Sequence, residues 1–228
     1  MTKASTASNT ENAGILNGLR AFLKQGYIAG NTPDMQRLSL AAHRLLAEGR
    51  PVSLTRLAQA AGLSPDGARR LFETVPASAY EANDDGEITG FAGLSISPAN
   101  HEFQLGGNRL YTWCVFDALF LPELLQQNAV LRTRCPATEQ SIELGLAPGR
   151  IIDAAPSSAV MSILDPDHDA CCNNLRGAFC DHVNLFASED GFAQWANARG
   201  NAACVSLKTA MMLARQRNRF RFPDISFA

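Results

Sequence analysis

The sequence predicts an α+β protein, with an N-terminal winged-helix-like helical domain followed by a domain of short antiparallel strands and helices. Three observations predict it. Residues 52–71 carry a helix-turn-helix pattern, and the dipeptide Asp85-Gly86 then sits between two strand-like runs. Further on, helical segments interleave with short strands that do not repeat. The 228 residues are 46% hydrophobic and 18% charged, enough to bury a core.

Residues 1–33 divide into a polar tail and a short helix. The tail, to about residue 13, is rich in Ser, Thr and Asn and is expected to lack fixed structure. Ile15, Leu16, Leu19, Phe22 and Leu23 have helical spacing within 15–27. Residues 34–97 form the winged-helix-like unit. Leu38, Ala41, Ala42, Leu45 and Leu46 repeat at helical spacing, and Gly49-Arg50-Pro51 stops that helix. In 52–71, Ala58 is small where two helices cross, Gly62 takes the turn, and Ala68 and Leu71 face inward. Ser64 is placed to cap the second helix, with Pro65 at its first position. Residues 82–90 read as the hairpin, and 91–96 and 102–105 as strands. In the remaining domain, 98–228, helices are expected over 108–125, 192–199 and 206–217. Strands are expected at 129–134, 141–145, 158–164 and 183–186.

Composition excludes several classes. Twenty Lys and Arg against 22 Asp and Glu give a net charge of −2, without the positive excess of a general nucleic-acid or membrane-surface binder. No run of about 18 uncharged apolar residues is present, and residues 1–14 contain no apolar signal core. A cytoplasmic protein is therefore expected. The patterns GxxxxGK[ST], GxGxxG and HExxH are missing, which removes the usual support for phosphate-loop, dinucleotide and zincin chemistry.

One functional reading starts from the helix-turn-helix. Its second helix exposes Arg69 and Arg70, and 37–75 carries six Arg against Glu48, Asp66 and Glu73. Together with the downstream cysteines, this suggests a thiol-responsive, metal-sensing transcriptional regulator. The same module also fits a folded appendage that touches no DNA, since Asp66 and Glu73 would face phosphates poorly.

The other reading starts from the six cysteines, which in this compartment are expected as thiols. Cys114 and Asp117 are three residues apart, so a helix places them on one face; Thr112 as cap would set Cys114 in the first turn, where the helix dipole favours thiolate. An amphipathic helix with a buried Cys and a satisfied Asp has the same spacing. Cys180 and His182 fit a nucleophile pair on one strand face, a weak zinc site, or a core Cys beside a hydrogen-bonded His. Cys135 and Cys204 read as structural, and adjacent Cys171-Cys172 as exposed and incidental.

Arg109 to Pro122, Cys135-Pro136-Ala137-Thr138 and Phe179 to Ser188 together resemble the bacterial organomercurial (alkylmercury) lyases, enzymes that split carbon–mercury bonds. The helix-turn-helix resembles that family's N-terminal domain, and the likeness spans about 34–220. The resemblance implies that Cys114 and Cys180 are the mercury-binding catalytic cysteines, Asp117 the catalytic carboxylate and Cys135 a structural cysteine. It makes 98–228 the catalytic domain, implies that the N-terminal unit covers the core without binding DNA, and makes mercuric reductase the acceptor of Hg(II). The chain departs from the family in its long N-terminal tail, the 165–174 loop with Cys171-Cys172, and Asp181 directly after Cys180.

Those residues suit the chemistry. Mercury is soft and prefers thiolate. Two thiolates push electron density toward the mercury-bound carbon, and a carboxylic acid beside it supplies the proton. Cys114 is expected to capture the organomercurial first and Cys180 second, with Asp117 relaying a proton. Trp113, Phe116, Phe179 and Phe186 are candidates to line the organic pocket. No organic cofactor is expected, only an outside thiol for turnover. A mercury-binding or trafficking relative without turnover is a third reading.

Overall fold

The computed structural model describes residues 3–26, 28, 31–197 and 202–227, with side chains from residue 12 onward. The first helix, α1 (Lys3–Gln25), corrects the expected unstructured tail. No Pro or Gly interrupts 3–13, so the helix extends back from the buried stripe Ile15, Leu19, Phe22 and Leu23. Tyr27 and Arg199, the far ends of two expected helices, lie outside the described residues, as do Met1 and Thr2.

The helix-turn-helix unit follows as α2 (Pro33–Leu46), α3 (Leu54–Ala61) and α4 (Pro65–Glu73). Thr32, Ser53 and Ser64 each cap a helix by accepting from a backbone N–H. Gly62 ends α3 at φ +66, the left-handed conformation that a residue without Cβ adopts freely. Ala68 is buried against α3, while Arg69 and Arg70 are exposed.

The expected hairpin is β1 (Tyr80–Ala82) and β2 (Ile88–Phe91), turning at Gly86 with φ +74. Beyond it the structure departs from the expectation. The run 91–96 is broken at Ala92-Gly93, both at positive φ, and resumes as β3 (Leu94–Ser95). After β4 (His101–Leu105), the expected helix 108–125 begins as a strand, β5 (Asn108–Thr112), and only Val115–Leu125 forms helix α5. Gly106 and Gly107 form a tight turn that pairs β4 with β5, and the ladder overrides the helical spacing of Leu110 and Tyr111.

The chain continues through β6 (Ala129–Arg134), β7 (Ser141–Ala147) and β8 (Arg150–Ala155). Strand β8 was not expected, since its alternation is weak. These strands form one antiparallel sheet in the order β1-β2-β3-β5-β4-β6-β7-β8. The wing is thus the edge of the main sheet, and the expected domain boundary at 97/98 falls between two of its strands. A second sheet, β10-β9-β11, uses β9 (Val160–Leu164), β10 (Leu185–Phe186) and β11 (Ala202–Ser206). Between β9 and β10 lie α6 (His168–Asn173), α7 (Leu175–Ala178) and one 3-10 turn, Cys180–His182. Helices α8 (Glu189–Ala196) and α9 (Leu207–Arg221) complete the fold.

Every residue of α5 is buried, as expected of a helix that is apolar all round. It packs against α9 and the main sheet. The Asn218 amide of α9 donates to the Phe120 carbonyl at 3.0 Å and to Glu123 Oε2 at 2.9 Å, beside Pro122, which has no N–H to give. Among the described residues no helix is long and apolar enough to cross a membrane.

Candidate active site

Strand β5 ends at Thr112, and Trp113 leads into Cys114, which is the N-cap of α5. The expected cap, Thr112, belongs to the strand. The Cys114 backbone N–H donates to Asp117 Oδ2 at 2.9 Å, and the Asp117 N–H points back to the Cys114 sulfur. This reciprocal capping box fixes both side chains at one helix end. The peptide N–H of Trp113 donates to the Gly93 carbonyl at 3.0 Å, so the β2–β3 connection holds the other side. Gly93 has φ +104, and a Cβ there would lie 2.5 Å from the Asp117 carboxyl. The absent side chain is the space the carboxylate occupies.

Cys180 reaches the same point from the 3-10 turn after α7. The ligand atoms of Cys114, Asp117 and Cys180 all lie within 4.8 Å of one another. All three residues are buried, Cys114 completely. Beside them the Thr112 hydroxyl and the Trp113 indole N–H are buried without a partner among the described residues.

Burial sets the protonation states. It pushes the Cys114 thiol well above its ordinary value, helped by Cys180 and by the Asp117 charge. A hydrogen bond from the Cys114 thiol lowers Cys180, but burial, Asp117 and Asp181 outweigh it and Arg176, and Cys180 also ends up raised. The thiolate that the helix dipole was expected to stabilise at Cys114 is therefore not the resting form. Burial raises Asp117 to about 6, against the Cys114 hydrogen bonds and the Arg217 charge. At neutral pH the trio is thus two thiols and a carboxylate.

A small apolar cavity opens on Asp117 and Cys180, lined by Phe22 and Leu23 of α1, Phe116, Phe120, Leu175 and Phe179, with Arg217 and Arg221 at its polar side. Its free volume is about 40 Å³. Phe116 and Phe179 line it as expected. Trp113 instead borders a separate cleft, and Phe186 is packed in the core against Phe192 and Trp195. The contribution of α1 and α9 was not legible, because nothing local marks an apolar helix residue as cavity-lining.

Other cysteines lie elsewhere. His182 does not share a strand face with Cys180; its Nε2 lies 3.1 Å from the Gly177 carbonyl. Cys135 is fully buried near Gly191 of α8, where bonds from Thr138 and the backbone of Ala187 overcome burial and lower its thiol. Cys171 is fully buried rather than exposed, because α6 folds its 165–174 segment inward, and Cys172 is half-buried near His168.

Comparison with known proteins identifies the family. The alkylmercury lyase family matches residues 94–217, and the helix-turn-helix domain of alkylmercury lyase matches 17–92. The helix-turn-helix match is to the enzyme's own domain, so a transcriptional regulator is not favoured. The alkylmercury lyase of Staphylococcus epidermidis is 31% identical over 195 residues, 86% of this chain and 88% of that one. That of Streptomyces lividans is 36% identical over 172 residues, 75% and 77% of the two chains. That of Pseudomonas putida is 34% identical over 186 residues, 81% and 85%. The crystal structure of the mercury-bound form of MerB2 superposes with a TM-score of 0.74 at 21% identity, covering 90% of this chain and 99% of that one, a likeness of fold. With one profile matched over more than half its length and relatives above 30% identity across most of both sequences, this chain belongs to the alkylmercury lyase family.

Proposed function

We propose that the chain cleaves the carbon–mercury bond of organomercurials by protonolysis, releasing hydrocarbon and leaving Hg(II) on Cys114 and Cys180. The observation that carries this is the convergence of two thiols and one carboxylate within 4.8 Å at an apolar cavity. Family membership supports it. Cys180 lines that cavity and Cys114 does not, which favours Cys180, not Cys114, as the first sulfur to meet the substrate.

Asp117 then has two tasks. As a carboxylate it takes the proton that a thiol sheds when sulfur binds mercury. As the resulting acid it gives a proton to carbon while the carbon–mercury electron pair becomes the C–H bond. One of the two thiol protons ends on carbon and the other leaves to solvent. The second thiolate raises electron density on carbon and so lowers the barrier to that transfer. Arg217, stacked 3.8 Å over the Phe120 ring, keeps Asp117 from being raised further. The reading includes no organic cofactor, an outside thiol for turnover, a cytoplasmic setting, and mercuric reductase as an acceptor of Hg(II).

The test is to mix reduced protein with phenylmercury and excess small thiol and to measure headspace benzene. Benzene over many turnovers, lost in Asp117→Asn, is expected. Stoichiometric mercury uptake without benzene would refute the lyase reading.

A further inference from the structure

The apolar cavity is not the only opening on Cys180. A cleft of about 330 Å³ reaches the same residue and is bordered by Asn100, His101, Trp113, Arg176, Asp181 and Asn184. The two spaces share Cys180 alone among their lining residues. Their linings differ in kind. The first is mostly Phe and Leu side chains, with Asp117, Arg217 and Arg221 at its polar side; the second sets Arg176 and Asp181 among Asn100, His101 and Asn184.

The charged pair is placed by the fold. Arg176 of α7 is exposed, but its guanidinium is held on its inner side. It lies 4.6 Å over the Trp113 ring and forms an ion pair with Glu81 of β1, and the same side chain borders the cleft, with five N–H donors in all. Asp181 is exposed immediately after Cys180 in the 3-10 turn. The Asn184 amide donates to the Asp181 carbonyl at 3.1 Å and so stiffens that turn. His101 adds no charge, since burial lowers it to about 4 and its Nδ1 sits 2.8 Å from the Thr133 hydroxyl.

From this arrangement we infer that the polar cleft is an unloading site for Hg(II), shaped for a small amino-acid thiol whose carboxylate meets Arg176 and whose ammonium meets Asp181. The inference rests on the reading above only in that Cys114 and Cys180 hold Hg(II). The step is a ligand exchange without redox change. The incoming thiol loses its proton to solvent and its sulfur bonds to mercury. The Cys180–mercury bond breaks, and Cys180 leaves as thiolate and is reprotonated. A second thiol repeats the exchange at Cys114. Separate openings let hydrocarbon leave and the acceptor thiol reach mercury without competing for one space.

The experiment loads the full-length protein with one equivalent of mercuric chloride, so no carbon–mercury cleavage is needed. Mercury removal is followed by loss of sulfur-to-mercury ultraviolet absorption. The acceptors are cysteine, 3-mercaptopropionate, cysteamine and 2-mercaptoethanol, with rates corrected for each thiolate fraction. Cysteine is expected to saturate and to exceed 2-mercaptoethanol by about tenfold, the size of one or two half-exposed ion pairs. Arg176→Gln should slow the two carboxylate thiols selectively, and Arg176→Lys should restore part of that rate. Asp181→Asn should slow the two amine thiols selectively. Rates set by thiolate fraction alone, or variants that slow all four thiols equally, would overturn the inference.

Single-turnover benzene release from phenylmercury separates this from the lyase reading. Benzene without thiol selectivity overturns the cleft and leaves the lyase. Selectivity without benzene upholds the cleft and overturns the lyase. Thiol selectivity and benzene release that both survive when Cys114 and Cys180 are replaced together by Ala overturn both.

Discussion

Gly93→Ala tests whether the β2–β3 connection shapes the acid that protonates carbon. The added Cβ would sit 2.5 Å from both Cγ and Oδ1 of Asp117, so the carboxyl must retreat by about 1 Å to reach ordinary contact. A misplacement of about 1 Å in a reacting group lowers rates by about 100-fold. The residue also stands at φ +104, which strains any side chain by about 1–2 kcal/mol. Gly86→Ala separates these effects, because Gly86 has φ +74 but nothing within 4 Å of a Cβ. Both variants should lose stability in urea unfolding. Only Gly93→Ala should lose single-turnover benzene release by about 100-fold. A folded Gly93→Ala within threefold of the parent rate, or an equal loss in Gly86→Ala, would refute the reasoning.

Asp117→Asn should end cleavage yet stabilise the fold at pH 8 by about 1–3 kcal/mol, because burying the carboxylate raises it from 3.8 to about 6. The sign follows from that direction: the protonated acid suits the fold, and its contribution fades as pH rises through about 6. Thermal or urea unfolding at pH 8 checks it. Cleavage in the parent should rise with pH through about 6, since Asp117 must first be a base; a flat profile from pH 5 to 7.5 speaks against that role. His43 and His101, both lowered to about 4 by burial, act in the opposite sense on stability. Each loses stabilisation as pH falls from about 6.5 to 4, so two groups outweigh Asp117 and the midpoint should drop on acidification. Phe22→Ala should widen the 40 Å³ cavity and raise the rate on phenylmercury relative to methylmercury, read as a ratio of single-turnover rates. Cys135→Ala should lower stability by about 1–2 kcal/mol with cleavage retained, since Cys135 is fully buried away from the trio.

Local chemistry made much of this protein legible. Ser53, Gly62, Ser64 and Pro65 act within a few residues of themselves, so the helix-turn-helix could be read directly, as could the Asp85-Gly86 hairpin. Cys114, Asp117 and Cys180 were legible as residue types suited to mercury, and the two blocks that hold them carried the family resemblance. Where the reading failed, a distant partner had decided. Residues 108–112 have helical spacing, but β3 and β4 pair with them on both sides, and the helix starts only at Val115. Cys171 looked exposed because its neighbours are polar, yet α6 turns it inward. The meeting of Cys180 with Cys114 and Asp117, the Gly93 space behind the carboxylate, and the α1 wall of the cavity depend on packing between elements remote in sequence. The thiol and carboxylate protonation states depend on it too, because desolvation belongs to the folded interior and not to any residue alone. The residue types needed for the chemistry are written along the chain, but their distances, their charges and the two openings that lead to them come from packing between remote elements, where burial and contact arise.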